Sequence, residues 1–148
     1  MIALLDEAAS RAFGAKLARV LAVGDVVTLS GDLGAGKTSI ARGALAALGL
    51  QGEAPSPSFA IVQSYAPPEL RLPVLHIDLY RIEHEDELLE LGLDDARRDS
   101  ALLVEWPERV GTRWWHDALA LTLAPAADGG RALTAQVPAA WKARWPLI

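Results

Sequence analysis

The sequence contains no cysteine, which excludes disulfides and thiolate zinc sites and suits a reducing compartment. No apolar run approaches the roughly 18 residues that a membrane-spanning helix needs. The opening residues, Met1-Ile2-Ala3-Leu4-Leu5-Asp6-Glu7, lack the basic segment of a secretory signal. The expectation is a cytoplasmic protein without a membrane attachment. Histidine is scarce. His76, His84 and His116 are scattered without ligand spacing, so none is assigned to a metal. Positive charge is short too: the net charge is −5, so the fold as a whole repels polyanions. Tight autonomous nucleic-acid binding rests on phosphate neutralisation and is not expected. Any RNA in the biology would be held by a partner.

What is present is enough for one ordinary domain spanning 1–148. A chain this long buries about 70% of its unfolded surface and needs no staples. Its organising stretch is Gly31-Asp32-Leu33-Gly34-Ala35-Gly36-Lys37-Thr38, which fits the P-loop pattern. Before it runs Val26-Val27-Thr28-Leu29-Ser30, a buried-strand pattern. After it, residues 39–48 are alanine-rich, with Ile40, Ala44 and Leu48 on one helical face. Glycines let the loop turn its N–H groups inward, and the helix N-terminus adds positive potential. Lys37 is expected to reach the β- and γ-phosphates of a nucleotide, and the Thr38 hydroxyl a magnesium ion. Gly34, Ala35, Gly36 and Ser39 complete the expected cradle.

Elsewhere the periodicity predicts a first helix over 6–22, with Ala9, Phe13, Leu17 and Val20 facing inward. Glu7 reads either as a first-turn carboxylate or as a residue near the nucleotide's base or sugar. The loop 55–58 offers two hydroxyls, either on a plain rigid turn or on a switch-like segment. Strands are expected over 59–65 and 72–80, joined by a connection short enough for a hairpin. The sheet should therefore be mixed, in an α/β P-loop domain flanked by helices. In the second strand His76, Asp78 and Tyr80 share the polar face. A short acidic helix is expected over 83–91, stopped by Gly92; its carboxylates read as a solvated face or a partner surface. A buried run, 101–104, leads to Glu105-Trp106-Pro107-Glu108-Arg109. The tail reads as a hairpin (118–124 and 131–137) and a closing helix from Pro138, with Trp141 and Trp145 facing the core.

Turning nucleotide over needs a second metal anchor and an oriented water. Glu105, at the end of an apolar strand, suits the anchor; its alternative is a cap for the turn at Pro107. Asp78 is read as a water- or metal-orienting carboxylate, because strand alternation would set Arg81 on the other face. Trp106 either packs or screens the site from solvent.

The blocks Gly31–Thr38, Ser56-Pro57-Ser58-Phe59, His76-Ile77-Asp78-Leu79-Tyr80-Arg81, Leu91-Gly92-Leu93-Asp94 and Val104–Arg109 together resemble one family: TsaE, of bacterial tRNA threonylcarbamoyladenosine synthesis. They follow the family's order over nearly the whole chain. The resemblance implies a single α/β domain that binds ATP and magnesium and hydrolyses ATP slowly alone. It implies action beside a TsaB–TsaD pair, which carries the transfer to adenosine 37 of tRNA. By position it implies Lys37 and Thr38 at phosphates and metal, Glu105 at the metal, and Asp78 and Trp106 in support of hydrolysis. Glu7 and Arg131 match family positions near the nucleotide. Ser39 and Ser58 stand where many members carry threonine; both keep a hydroxyl.

Two other classes remain as expectations to test. A small-molecule kinase needs an arginine-bearing lid, and the only adjacent arginine pair, Arg97-Arg98, lies in an acidic stretch. A non-catalytic nucleotide sensor would switch partner affinity by binding alone.

Overall fold

Leucine- and valine-rich runs alternate their side chains between two apolar layers, and this alternation builds a sheet covered on both faces. The computed structural model describes residues 1–55, 57 and 61–147, the side chains of 112 and 113 excepted. Its strands are β1 (Ile2–Leu4), β2 (Val26–Ser30), β3 (Val62–Tyr65), β4 (Val74–Asp78), β5 (Ala101–Glu105), β6 (Leu119–Pro125) and β7 (Arg131–Gln136). They form one sheet in the order β1-β7-β6-β2-β5-β4-β3. The centre, β6-β2-β5-β4, is parallel. The outer pairs β3–β4, β6–β7 and β1–β7 are antiparallel. The mixed sheet follows the expectation from the short connection between β3 and β4.

Val27, Leu29, Leu103 and Leu121 turn to one face, where they meet Phe13 and Leu17 of α1 (Glu7–Val20) and Ile40, Ala44 and Leu45 of α2 (Lys37–Leu48). Val26, Leu102, Val104 and Ile77 turn to the other, against Leu88 of α3 (Glu85–Glu90) and Leu93 of α4 (Leu93–Ala96). The α1–α2 crossing is close because each helix contributes a glycine, Gly14 and Gly43, whose Cα lies against the partner's backbone.

Several boundaries differ from the sequence reading. The first helix starts at Glu7, because Asp6 accepts a hydrogen bond from the Ala9 N–H at 2.8 Å and acts as its N-cap. It ends at Val20, where Leu21 turns extended. β1 was not foreseen: three residues carry no periodicity, and only pairing with β7 makes them a strand. The strand expected over 59–65 begins at Val62, residues 59 and 60 lying outside those described; that over 72–80 shortens to Val74–Asp78. The acidic helix expected over 83–91 shortens to Glu85–Glu90; Gly92, left-handed (φ 64°), stops it as expected and leads into α4. The closing helix is a 3-10 turn over Ala139–Arg144. Trp141 is buried, and Trp145 meets Phe13 edge-on beyond the turn's end, with centroids 6.3 Å apart.

Arg144 ties this C-terminal turn to the sheet. Its guanidinium donates to both Asp25 carboxylate oxygens (2.6 and 3.2 Å) and to the carbonyls of Val20 and Ala140, and it lies 3.8 Å from the Trp141 ring centroid. Arg144→Ala removes charge-assisted bonds from a half-buried position and is expected to cost about 2 kcal/mol. A denaturant midpoint unchanged from wild type would refute this.

Candidate functional site

The site forms where the carboxyl ends of the parallel strands meet, the position at which open α/β sheets place their ligands. Register sets Leu29 of β2 beside Glu105 of β5, and Glu105 beside Asp78 of β4. From the end of β2 the chain winds through residues 31–36 and enters α2 at Lys37. Gly36 makes the entry in a left-handed conformation (φ 104°) without a side-chain cap. At Gly31 (φ 148°) a Cβ would stand 2.8 Å from the Leu123 carbonyl oxygen, so a larger residue would push the loop off β6.

Four of the side chains expected at the site line one cavity of about 350 Å³: Lys37, Thr38, Asp78 and Glu105, with Trp106 as a wall. The Thr38 hydroxyl lies 2.9 and 3.1 Å from the two Glu105 carboxylate oxygens and donates to that group. Glu105 is buried, and its Oε2 lies 2.6 Å from Nε2 of the fully buried His76. Asp78 is also buried; its Oδ1 accepts the Tyr80 N–H at 2.8 Å, which turns the chain out of β4.

That turn corrects one sequence argument. The strand ends at Asp78, so alternation does not extend to Arg81, and both residues line the same cavity.

Lys37 folds back on its own loop, donating to the Gly31 carbonyl and, at 2.9 Å, to that of Asp32. Its ammonium lies 4.0 Å from the Trp106 ring centroid. Burial lowers its pKa from the ordinary value, against the opposing pull of Glu105, Glu108, Asp78 and Asp32. Trp106 takes a left-handed backbone (φ 60°, ψ 47°), rare for a bulky residue. Its N–H donates to the Leu29 carbonyl, and the neighbouring Glu105 carbonyl accepts from Leu79. This bend lifts the indole over Lys37. The Tyr80 ring packs against it, tilted by 55° with centroids 4.9 Å apart, and the Arg109 guanidinium lies 4.8 Å from the Tyr80 ring.

Glu7 and Arg131 lie on the other flank of the loop. With Ser10 they line a cavity of about 260 Å³ that adjoins the main one, the two sharing Gly34, Ala35, Gly36 and Ser39. Arg131 donates to the Gly34 carbonyl at 3.1 Å, tying β7 to the loop. Glu7 is an exposed first-turn carboxylate paired with Arg11 at 3.0 Å, so it has the helix-start role and also borders that cavity. Ser56 and Ser58, the two loop hydroxyls, lie outside the described residues. His76 is the residue the sequence reading missed as part of the site. Its period-two spacing from Asp78 was the available signal.

The donors facing the main cavity suit a magnesium ion. Hydroxyl and carboxylate oxygens are hard ligands, and this ion usually takes few protein ligands, completing its shell with water and phosphate. Among the described residues no group of three or more His, Cys, Asp or Glu could by itself enclose a metal. No helix among them is long and apolar enough to cross a membrane.

A glycine-wound turn from a central parallel strand into a helix headed by Lys-Thr, facing a strand-end carboxylate, defines a P-loop nucleotide-binding protein of the ATPase type. A family model described as threonylcarbamoyl adenosine biosynthesis protein TsaE matches residues 4–133. The chain belongs to the TsaE family. The Streptomyces coelicolor protein named tRNA threonylcarbamoyladenosine biosynthesis protein TsaE is 40% identical over 114 residues, covering 76% of this chain and 77% of the relative. Its namesake from Synechocystis is 42% identical over 111 residues, covering 72% and 69%. The crystal structure of Bacillus subtilis YdiB superposes with a TM-score of 0.71 at 29% identity, over 90% of this chain and 82% of that one.

Proposed function

We propose that this chain is a magnesium-dependent ATPase that supports threonylcarbamoylation of tRNA adenosine 37, acting in the cytoplasm beside a TsaB–TsaD pair. The observation that carries the reading is the Thr38–Glu105 contact at the head of the helix that bears Lys37. It joins the phosphate cradle to a strand-end carboxylate. When bound there, magnesium would neutralise charge on the β- and γ-phosphates. Thr38 and Glu105 would hold it. Lys37 would exchange the loop carbonyls for phosphate oxygens, Asp78 would orient the attacking water, and Trp106 would keep bulk solvent from the cleavage site. On the opposite flank, Glu7 and Arg131 would face the base and sugar, with the amides of residues 34–39 around the phosphates. The net charge of −5 is why tRNA is assigned to the partners and not to this chain.

Phosphate release with ATP, measured with and without the TsaB–TsaD pair, tests the proposal. The expected result is slow turnover alone and stimulation by the pair. Full turnover alone, or none in either condition, would overturn it. Phosphate appearing on an acceptor would point to the kinase class; against that class, the chain after Glu105 forms 3-10 turns and a β-hairpin, not a helical lid.

Asp78→Asn keeps an acceptor for the Tyr80 N–H but removes the charge that orients water. Hydrolysis is expected to fall about a hundredfold, with ATP affinity changed less than about threefold. Unchanged phosphate release would remove Asp78 from the mechanism. Lost hydrolysis with intact partner function would favour the sensor class.

A further inference from the structure

We propose that His76 is a positioning residue that locks the Glu105 carboxylate into the orientation in which it serves the cation site with Thr38. The inference rests on the magnesium–nucleotide reading of the P-loop given above. Register pairs His76 with Leu103 and Asp78 with Glu105, so the imidazole reaches one pleat along the sheet to the end of the neighbouring strand. The ring is fully buried, and its Nε2 lies 2.6 Å from Glu105 Oε2. A carboxylate can only accept, so Nε2 carries the hydrogen. Nδ1 is buried and has no hydrogen-bond partner among the described residues. A wholly apolar side chain would fill the same space without an orphaned nitrogen. Packing therefore does not explain an imidazole here, whereas its single bond does.

The bond acts on a carboxylate with a second task. Glu105 Oε2 is shared between His76 and Thr38, while Oε1 accepts from Thr38. A glutamate chain has three torsions, and Thr38 by itself leaves the carboxylate free to rotate about the contact. The imidazole, held rigidly in β4, supplies the second fixed point. Partners of this kind behind a metal-binding carboxylate typically change metal affinity by about 10- to 100-fold when removed.

Two substitutions separate the bond from the volume. His76→Gln sets an amide nitrogen near the position of Nε2; His76→Asn sets it near Nδ1, away from Glu105. ATP binding is measured by calorimetry across a magnesium series and in EDTA, and manganese binding to the ATP complex by electron paramagnetic resonance. H76N is expected to raise the cation requirement roughly 10- to 100-fold, and H76Q to stay within about threefold of wild type. In EDTA all three proteins should bind ATP alike. Should H76N not fold, His76→Phe, which retains ring volume without the nitrogen, carries the same expectation. A wild-type cation requirement in H76N or H76F, or equal losses in H76N and H76Q, overturns the inference alone. ATP binding by wild type that ignores the divalent ion overturns the P-loop reading, and this inference with it.

Discussion

Lys37→Ala is expected to leave a folded protein that no longer holds ATP at concentrations saturating the wild type. The ammonium would make charge-assisted bonds to phosphate, each contributing about 1.5–3 kcal/mol. Part of that is offset, because Lys37 must leave the Gly31 and Asp32 carbonyls and the Trp106 ring to reach a ligand. A net loss of about 3 kcal/mol, or a Kd on the order of a hundredfold higher, follows. Phosphate release should fall by roughly a further 10²–10³-fold, since under the proposed mechanism the same charge would face the oxygens that gain negative charge in the transition state. Burial already lowers the pKa of this ammonium, so its charged form is held at a cost in the resting protein. Alanine removes that cost, and the melting temperature should not drop. Calorimetry and a thermal melt on one preparation check both halves. Retained ATP affinity in K37A would remove the phosphate cradle from the account.

The second large effect lies away from the cavity, at the crossing of α1 and α2. In Gly43→Ala the new Cβ would stand 2.1 Å from the Arg11 carbonyl oxygen; in Gly14→Ala it would stand 2.0 Å from that of Ile40. Neither neighbour is a flexible side chain. The helices must separate, opening the layer of Phe13, Leu17, Ile40 and Ala44. Alanine's better helix propensity recovers about 1 kcal/mol, and overpacking against backbone exceeds that. We expect each variant to lose about 3 kcal/mol net, a melting temperature roughly 10 °C lower. The double variant should lose much less than twice that, because the first methyl already parts the helices. α2 begins with Lys37 and Thr38, so the displacement also loosens Thr38 from Glu105, and ATP affinity should fall with stability. Alanine variants that melt at the wild-type temperature would refute the close crossing.

Both expectations show where sequence pattern stops being informative. The P-loop was legible because its information is local: glycine positions, a lysine and a hydroxyl lie within eight residues, between a strand and a helix whose periodicities are plain. The inward stripes of α1 and α2 were legible for the same reason. Gly14 and Gly43 were not, since a glycine inside a helix pattern does not reveal which backbone will lie against it. Asp78 and Glu105 each had a strand-end signal, but their adjacency is a product of register. His76 had only its two-residue spacing from Asp78, and its partner lies 29 residues away. Arg131 reaches Gly34 across 97 residues, a contact that no window along the chain contains. The left-handed backbone of Trp106 is likewise set by what holds it, the carbonyl of Leu29 and the turn into Pro107.

By itself, then, the order of residues determined the strands and helices with strong periodicity, the P-loop between a strand and a helix, and the short connection that makes the sheet mixed. These rest on backbone preferences and side-chain spacing, which act over a few residues. The tertiary structure decided which carboxylate meets Thr38, that an imidazole stands behind it, how closely α1 and α2 cross, and that Ile2–Leu4 is a strand at all. Each depends on strand order and register, and those are settled only when distant segments bury their apolar faces together.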